Sequence, residues 1–370
     1  MKFWLILLFF PLYSYSTHLI GGEMTYRYLG NDTFEIKLTV YRDCANGIPP
    51  FDDPASIGIF DSNNSILDAL NIYITSQTNI TNSIYNCIPV APSNICYQKG
   101  EYIFNCFLPP LSGGYQISHQ RCCVPGGIVN VLDAPTTGFT IYASIPDSIF
   151  STNNSPVFNE QPFTILCVNT SFSFDHSATD LDGDSLVYSL CTPYSGATAF
   201  DPIPITPSPP PYSEIFWLQP YSLADMIGGT NPLTIDEQTG ILSVTPDAIG
   251  IYSYGITVRE FRNGVYLSET RRSNTLYVEN STGIDDFEIP LVTISPNPIS
   301  GRSTIHIDET VNIKDARFEL NDAIGRSVLE IDELTSNDFS LEVSPLPPGI
   351  YFYRMINDGL AISTGKLIFE

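Results

Sequence analysis

Positive charge is scarce in this 370-residue sequence. It contains 16 lysine and arginine residues against 40 aspartate and glutamate residues, which gives a formal net charge of −24. Nucleic-acid binding requires basic side chains that neutralise phosphates, so the composition argues against nucleic acid as a partner. The excess of carboxylates suits an exported protein, and carboxylate oxygens are ligands that Ca²⁺ prefers.

Long hydrophobic runs are also scarce. One apolar run, residues 3–12, follows Lys2 and precedes Ser14 and Ser16. A charged start, a short apolar run and small residues at a cleavage point are typical of a secretory signal peptide. We therefore predict a signal peptide over residues 1–16, with an uncleaved anchor as the alternative. A membrane-spanning helix needs about 20 apolar residues, so no transmembrane span is predicted.

The sequence lacks helical periodicity. Instead, apolar and polar residues alternate with a period of two. Segments such as TFEIKLTVYRDC (33–44) and GFTIYASI (138–145) alternate and are rich in β-branched and aromatic residues, which favours strands. Clusters of glycine, proline and asparagine separate them and indicate turns. The predicted fold class is all-β, built from tandem β-sandwich domains with a small β-sandwich at the C-terminal end.

Catalytic motifs are missing as well, and the sequence has only four histidines. No metalloprotease, nucleophile-elbow, phosphate-loop or dinucleotide motif occurs. His119 near Cys122 and Cys123 could imitate a zinc site, but exported chains favour disulfides. The pair Asp52–Asp53 could imitate glycosidase carboxylates, which must face each other across a cleft. We predict a protein that is not an enzyme.

Eight cysteines in an exported chain predict a disulfide framework. Cys167 and Cys191 stand apart from the others and are predicted to pair. Adjacent residues of an extended strand point to opposite faces, so Cys122 and Cys123 are expected to have different partners. The connectivity of the remaining group stays open; its members are Cys44, Cys87, Cys96, Cys106, Cys122 and Cys123.

The spacing of these features divides the chain into domains. A Cys-rich β-sandwich domain is predicted over residues 17–150, and a second β-sandwich domain over residues 151–280. The second contains a Pro-rich aromatic insertion at 200–221, which is expected to be extended and polyproline-like. A linker at 281–290 precedes the last unit, residues 291–370.

The last unit carries four motifs in order: ISPNPISG (294–301), FELNDAIGRSV (318–328), LPPGIYFYRM (346–355) and GKLIF (365–369). Together they resemble the type A sorting domain of the type IX secretion system of Bacteroidota. The resemblance implies two partners, a translocon that recognises the folded unit and a sortase-like protease. It also implies export to the cell surface, the outer membrane or the medium. The residues that carry the motif are Ser295, Pro296, Asn297, Pro298, Gly325, Gly349, Tyr351, Gly365 and Lys366.

An acidic turn suggests a metal site. The segment ATDLDGDSLVYSL (178–190) resembles the calcium-associated turn of dystroglycan-type cadherin-like domains, which implies Ca²⁺ ligands at Asp180, Asp182 and Asp184. This family often has aspartate near the end of a later strand, where this chain has Glu260. An EF-hand would need glutamate at the position that Cys191 occupies. The alternative is that these aspartates only form a turn.

The segments HLIGGEMTYRYLG (18–30), IKLTVYRDCANGIPPFDDPASIGIFD (36–61) and GGYQISHQRCC (113–123) resemble a recurrent N-terminal module of gliding and surface-associated Bacteroidota proteins. The predicted architecture is thus a row of Ig/cadherin-like sandwiches before a sorting domain. We predict a non-enzymatic exported protein with an adhesion or structural role; the alternative is a carbohydrate-binding or carbohydrate-active protein. Aromatic residues of the insertion could contact a glycan or a surface protein, or cover a core edge: Phe200, Tyr212, Phe216, Trp217 and Tyr221.

Overall fold

The computed structural model describes residues 19–45, 49–80, 96–150, 152–162, 165–280, 292–308, 311–342, 346–357 and 360–370. The predicted signal peptide, the predicted linker and Cys87 lie outside these residues. The chain divides into two compact units, with the division after residue 283. Each unit is described by itself.

The described residues are almost entirely β-structure, which confirms the predicted all-β class. Two single-turn 3₁₀ helices occur, at Ala134–Thr136 and Ser148–Phe150, and no described helix has the length and apolarity needed to cross a membrane. The strands of the first unit are β1 (Leu19–Gly30), β2 (Thr33–Asp43), β3 (Ala55–Asp61), β4 (Ile66–Ile72), β5 (Ser76–Ile80), β6 (Tyr97–Phe107), β7 (Tyr115–Arg121), β8 (Phe139–Ile145), β9 (Val157–Phe158), β10 (Ile165–Cys167), β11 (Phe172–Asp175), β12 (Ala178–Thr179), β13 (Ser185–Leu190), β14 (Asn231–Ile235), β15 (Ile241–Thr245), β16 (Gly250–Arg262) and β17 (Val265–Glu279).

One 12-stranded sheet runs through the first unit, in the order β4-β3-β7-β8-β17-β1-β2-β6-β5 with β10, β13 and β16 attached. The long strand β17 joins its parts. It pairs with β16 along nearly its whole length. It also pairs in turn with β8 at Thr270, with β1 at Arg272 and Ser273, and with β10 at Tyr277–Glu279.

This sheet includes strands from both sides of the predicted boundary between residues 150 and 151. Each predicted domain does have its own buried cluster, one from residues 19–145 and one from residues 158–278. A third cluster joins them, because Tyr41 and Tyr97 pack with Ile165 and Tyr277. The two predicted domains are therefore joined by one sheet, because β1 and β8 of the first half pair with β17 of the second.

The Pro-rich insertion also belongs to both halves. Its backbone carbonyl at Pro202 accepts hydrogen bonds from the backbone N–H of Cys122 (3.0 Å) and from the side chain of Arg121 (2.8 Å). Further along, Ser208 donates its N–H to the side chain of Gln120 at 2.8 Å. The insertion thus packs against the C-terminal end of β7, which pairs with β3 and β8 on its two sides.

Two disulfide predictions were wrong. Cys122 and Cys123 are bonded to each other, because β7 ends at Arg121 and strand alternation does not extend to them. Cys191 has a free thiol, whereas Cys167 is disulfide-bonded.

The positions of Cys167 and Cys191 along the sheet explain why they do not pair. Cys167 lies beside Glu279, whereas the N–H of Cys191 bonds to Gly255, which pairs with Ser273. Six residues of strand span roughly 20 Å, far beyond the reach of a disulfide. In the first group of cysteines, the structure pairs Cys44 with Cys96.

The second unit is a small β-sandwich, as predicted. Its core contains Ile305, Phe318, Met355 and Leu367, all fully buried, as alternation in each strand requires. One sheet has the order β18-β19-β22 and the other β21-β20-β23-β24. The strands are β18 (Val292–Ser295), β19 (Arg302–Ile307), β20 (Ala316–Asp322), β21 (Ser327–Leu334), β22 (Asp338–Glu342), β23 (Gly349–Asn357) and β24 (Leu360–Phe369).

Candidate metal centre and terminal strand

The acidic turn lies between β12 and β13. The Oδ1 atom of Asp180 accepts hydrogen bonds from the backbone N–H groups of Asp182 (2.9 Å) and Asp184 (3.0 Å). Gly183 has a φ of 78°, which glycine adopts without steric cost. This one oxygen therefore forms a turn. The other oxygen of Asp180, Oδ2, is buried and has no hydrogen-bond partner within the described part of the chain.

Glu260 reaches the same place from β16, which pairs with β13. Its side chain is fully buried. Oε1 accepts hydrogen bonds from the Ser268 hydroxyl (2.6 Å) and the Asn153 amide (2.5 Å), whereas Oε2 has no hydrogen-bond partner among the described residues. One ligand oxygen from each of Asp180, Asp184 and Glu260 lies within 4.8 Å of the other two. These three residues are called the acidic cluster.

Asp182 lies outside the acidic cluster. Its two carboxylate oxygens accept hydrogen bonds from the backbone N–H and the side-chain amide of Asn154, both at 2.8 Å. One of them also pairs with Arg262 at 3.1 Å. Asp182, the middle aspartate of the predicted set, therefore holds Asn154 against the turn by hydrogen bonds. Glu260, and not Asp182, contributes the third converging carboxylate.

Arg262 brings a positive charge to the same site. Its Nε and Nη2 atoms donate to the two carboxylate oxygens of Asp184 at 2.8 and 2.6 Å, and Nη2 also donates to Asn153 Oδ1 at 2.8 Å. The hydrogen bonds to Asp184 raise the pKa of Arg262 above its usual value. Arg262 was not among the predicted residues; its signal in the sequence is its position two residues after Glu260 on the same strand.

The chemistry of the acidic cluster fits a hard cation. Burial, and next to it the carboxyl of Asp180, raises the pKa of Glu260 to about 8. Two carboxylates that face each other with unpartnered oxygens need a shared proton or a cation between them. Ca²⁺ takes six to eight oxygen ligands from carboxylates, carbonyls and water. The free oxygens of Asp180 and Glu260 would supply two of these, and Asp184, already paired with Arg262, lies beside them.

The raised pKa of Glu260 predicts a stability that falls with pH when Ca²⁺ is chelated. The folded state keeps the proton up to about pH 8, whereas the unfolded state loses it near the ordinary glutamate pKa of 4.5. Each unit of pH between these values removes about 1.4 kcal/mol of stability. The free energy of unfolding of Glu260→Gln, minus that of the parent protein, should therefore rise by about 4 kcal/mol from pH 5 to pH 8. Denaturant titrations measure this difference, and groups common to both proteins cancel; a constant difference would contradict the prediction.

The zinc alternative does not hold, because each of its members is engaged elsewhere. His119 is buried with Nδ1 at 2.9 Å from the backbone oxygen of Ser56, and burial lowers its pKa. Cys122 and Cys123 form a disulfide, so neither offers a thiolate.

The pair Asp52–Asp53 is likewise divided between two structural contacts. Asp52 forms a buried ion pair with Arg121 at 2.7 Å. Asp53 accepts a hydrogen bond from the backbone N–H of Ile74 at 2.9 Å. The two carboxylates therefore stabilise the loop after β2 and do not face each other across a cleft.

The structure separates the five aromatic residues of the insertion. Trp217 and Tyr221 pack against the second core, as the core-edge alternative predicted. Phe200 and Phe216 are exposed. Tyr212 packs against two tyrosines outside the insertion.

The terminal strand of the second unit is held by the segment between β18 and β19. The amide of Asn297 donates to the carbonyl of Lys366 and accepts from the N–H of Ile368, both at 2.9 Å. Ile299 then continues the pairing through its backbone, with bonds to Ile368 (2.8 Å) and Glu370 (3.0 Å). The side chain of Asn297 thus acts as one residue of a partner strand along the outer edge of β24.

The other motif residues shape this segment and the turns. Ser295 ends β18, and the carbonyl of Pro296 accepts a hydrogen bond from Ser303 at 2.9 Å. Pro298 lies between the two residues that pair with β24. Gly325 has a φ of 83° in the turn between β20 and β21.

In the second sheet, aromatic rings account for two further motif positions, Tyr351 and Gly365. Gly349 is the first residue of β23. The ring of Tyr351 lies 4.7 Å from that of Phe369, centroid to centroid. A Cβ atom at Gly365 would come within 2.6 Å of the Tyr353 ring, so any larger residue there would displace it.

Comparison with known proteins identifies the second unit. Residues 293–370 match the family model described as the secretion system C-terminal sorting domain. No curated protein matches the chain. The chain therefore carries a type IX secretion sorting domain, and the protein is exported to the cell surface or secreted.

Solved structures resemble the chain only weakly. Dimeric latent PorU from Porphyromonas gingivalis is 14% identical over 96% of this chain and 34% of its own, with a TM-score of 0.19. This chain therefore spans about a third of that protein. The FN1–FN3 domains of chicken CNTN1 are 10% identical over 94% of this chain and 98% of their own, with a TM-score of 0.22. Native alpha-2-macroglobulin from Escherichia coli, in a structure spanning domains MG0-NIE-MG1, is 9% identical over 96% of this chain and 98% of its own, with a TM-score of 0.20. Similarity at these TM-scores defines neither a fold family nor a function.

Proposed function

We propose that this protein is a non-enzymatic adhesion or structural protein of the cell surface, delivered through its sorting domain. The division of the chain carries this proposal: the sorting domain is one compact unit, and everything up to residue 283 is another. The first unit is then the cargo. Its partners are a glycan or a surface protein, while the translocon and a sortase-like protease act on the second unit.

The contacts of the titratable groups support a non-enzymatic role. His176 is buried among aromatic rings and beside Arg272, and these surroundings lower its pKa. His119 and Asp52 are held in the contacts described above. Acid–base catalysis requires a group that reaches the substrate, and these candidates face the protein interior.

We further propose that the acidic cluster binds Ca²⁺. The support is a pair of buried oxygens on Asp180 and Glu260 that have no hydrogen-bond partner among the described residues, together with three converging carboxylates. A bound ion would join the loop after β12 to β16 and so stiffen the cargo unit outside the cell.

A test of the role uses the full chain. We expect cells without the protein to attach less to their native surface, and the full chain to restore attachment. Purified full chain should capture a glycan or protein from native surface fractions and should release no reducing sugar from a polysaccharide panel. Sugar release that a single Asp or Glu substitution abolishes would overturn the non-enzymatic role and favour the carbohydrate-active alternative.

A test of the metal site uses thermal melting with excess Ca²⁺ or a chelator. Because the ion binds only the folded state, Ca²⁺ at about 100 times its Kd should add about 2.7 kcal/mol of stability. Asp180→Asn should abolish the calcium-dependent rise in Tm. Asp182→Asn is the matched control, since its carboxylate lies outside the cluster; it should keep the rise. Equal melting of the parent protein in Ca²⁺ and chelator would contradict the site.

A further inference from the structure

A cavity of about 530 Å³ lies where the insertion stops covering the first unit's sheet. Its floor is the outer face of β7 and β8, where Gln116 and Ser144 are paired in register. Tyr266 at the start of β17 and residues 210–212 of the insertion form its walls. This volume lies in the usual range for small-ligand sites.

A fixed group of tyrosines forms one side of the cavity. The rings of Tyr142, Tyr194 and Tyr212 lie 5.6 to 5.7 Å apart, centroid to centroid. The hydroxyl of Tyr142 is bound to Glu269, and the guanidinium of Arg271 lies 3.9 Å from the centroid of the Tyr194 ring. The rings are therefore held in place before any ligand enters, which reduces the entropy lost on binding.

Tyr266 offers a further aromatic ring at the same cavity. It is 49% exposed and packs edge-on against Phe261 at 5.8 Å. The electron-rich face of an aromatic ring attracts positively polarised edges and C–H groups. A pyranose ring has one face rich in C–H groups, so an accessible tyrosine face can pack against it.

The floor adds hydrogen-bonding groups that are not used elsewhere. The side chains of Gln116 and Ser144 are half-buried and have no hydrogen-bond partner within the described ranges. Asp147, at the rim, is engaged, since its carboxylate accepts from the backbone N–H groups of Gly113 (2.6 Å) and Ile149 (3.2 Å). The floor therefore offers a ligand two neutral groups, an amide and a hydroxyl. Each can donate and accept hydrogen bonds.

The residues that line the cavity do not suit an anionic ligand. No described lysine or arginine lines the cavity. Arg271 is nearby, but it pairs with Glu269 at 3.5 Å and donates to the backbone oxygen of Thr192 at 2.7 Å. A purely apolar ligand would leave Gln116 and Ser144 without hydrogen bonds, which is costly.

We propose that this cavity binds one or two residues of a neutral glycan, with Tyr266 packing against a sugar ring and Gln116 and Ser144 binding its hydroxyls. This inference rests on the proposed interaction role and names the ligand class for it. It assigns recognition to the sheet face beside the insertion and not to the exposed phenylalanines Phe200 and Phe216.

The test is binding of the purified full chain to neutral mono- and disaccharides and to a neutral-glycan array, followed by calorimetry on the best ligand. Tyr266→Ala and Gln116→Leu should each weaken binding about tenfold, the change that corresponds to about 1.4 kcal/mol. Tyr73→Ala is the matched control, because Tyr73 is a 70% exposed tyrosine of the same unit outside the cavity; it should bind as the parent does. Unchanged Tm values establish that the variants are folded.

Three outcomes would overturn this inference: no neutral saccharide bound at millimolar concentration, saccharide binding unaffected by both cavity variants, or a proline-rich peptide bound there instead. Attachment of cells that persists when no saccharide binds would refute the ligand class and leave the adhesion role standing. Saccharide binding accompanied by turnover would refute the non-enzymatic role and leave the cavity assignment standing.

Discussion

Deleting residues 284–370 should abolish surface display and leave the first unit folded. Within the described residues, the buried clusters of the first unit contain no residue beyond 278, so the deletion removes no residue of these clusters. The predicted signal peptide is untouched, and the truncated protein should accumulate in the periplasm. Protease accessibility on intact cells measures display, and fractionation locates the retained protein.

A much smaller deletion, residues 366–370, should lower display almost as far. It removes Leu367 and Phe369, which are 0% and 2% exposed in the core of the second unit, and the strand edge that Asn297 and Ile299 hold. Asn297→Ala is the finer variant: it loses two hydrogen bonds to β24 and should destabilise the second unit by about 1–3 kcal/mol. Arg326→Ala, which alters an exposed pair with Asp322, is the control. Normal display of either truncated protein would contradict the sorting role of this unit.

Glu23→Gln should destabilise the first unit by about 3–5 kcal/mol, because it leaves a buried arginine without its counter-charge. Glu23 on β1 pairs with Arg272 on β17 through bonds of 2.5 and 3.0 Å. The Arg272 side chain is 2% exposed and also donates to the carbonyl of Glu160 at 2.9 Å. Its guanidinium lies 4.1 Å from the centroid of the Phe158 ring.

The control for this ion pair is Glu35→Gln. Glu35 pairs with Arg27 at 3.2 Å, but the two side chains are 33% and 53% exposed, and exposed pairs contribute at most about 1 kcal/mol. Denaturant unfolding of the full chain measures both. Since β17 joins the two halves, the first unit should unfold in one transition. Equal effects of the two substitutions, or separate transitions for residues 17–150 and 151–280, would contradict this account.

Local pattern was enough to predict the fold class and the sorting unit. Alternation of apolar and polar residues specifies a strand wherever one face is buried, and it predicted β2, β8 and most strands of the second unit. The SPNP segment and the glycine turns are local as well, since proline and glycine limit or widen the backbone angles of their own positions. Two of the three residues of the acidic cluster, Asp180 and Asp184, were also predicted, because they lie together in one short turn.

Long-range pairing was decided only by the tertiary structure. Nothing in the sequence near Glu23 indicates that it meets Arg272 across 249 positions, so the continuous sheet that joins the two predicted domains was not predicted. The same limit applies to Cys167 and Cys191, which are close in sequence but lie beside distant positions of β17. Strand pairing also places Glu260 beside Asp180 and Asp184. It places Tyr266 at the same cavity as Gln116 and Ser144. Alternation predicts which face of a sheet a side chain occupies. It does not predict which strand lies beside it. The neighbouring strand decides which residues form each site, and it depends on the packing of the whole sheet.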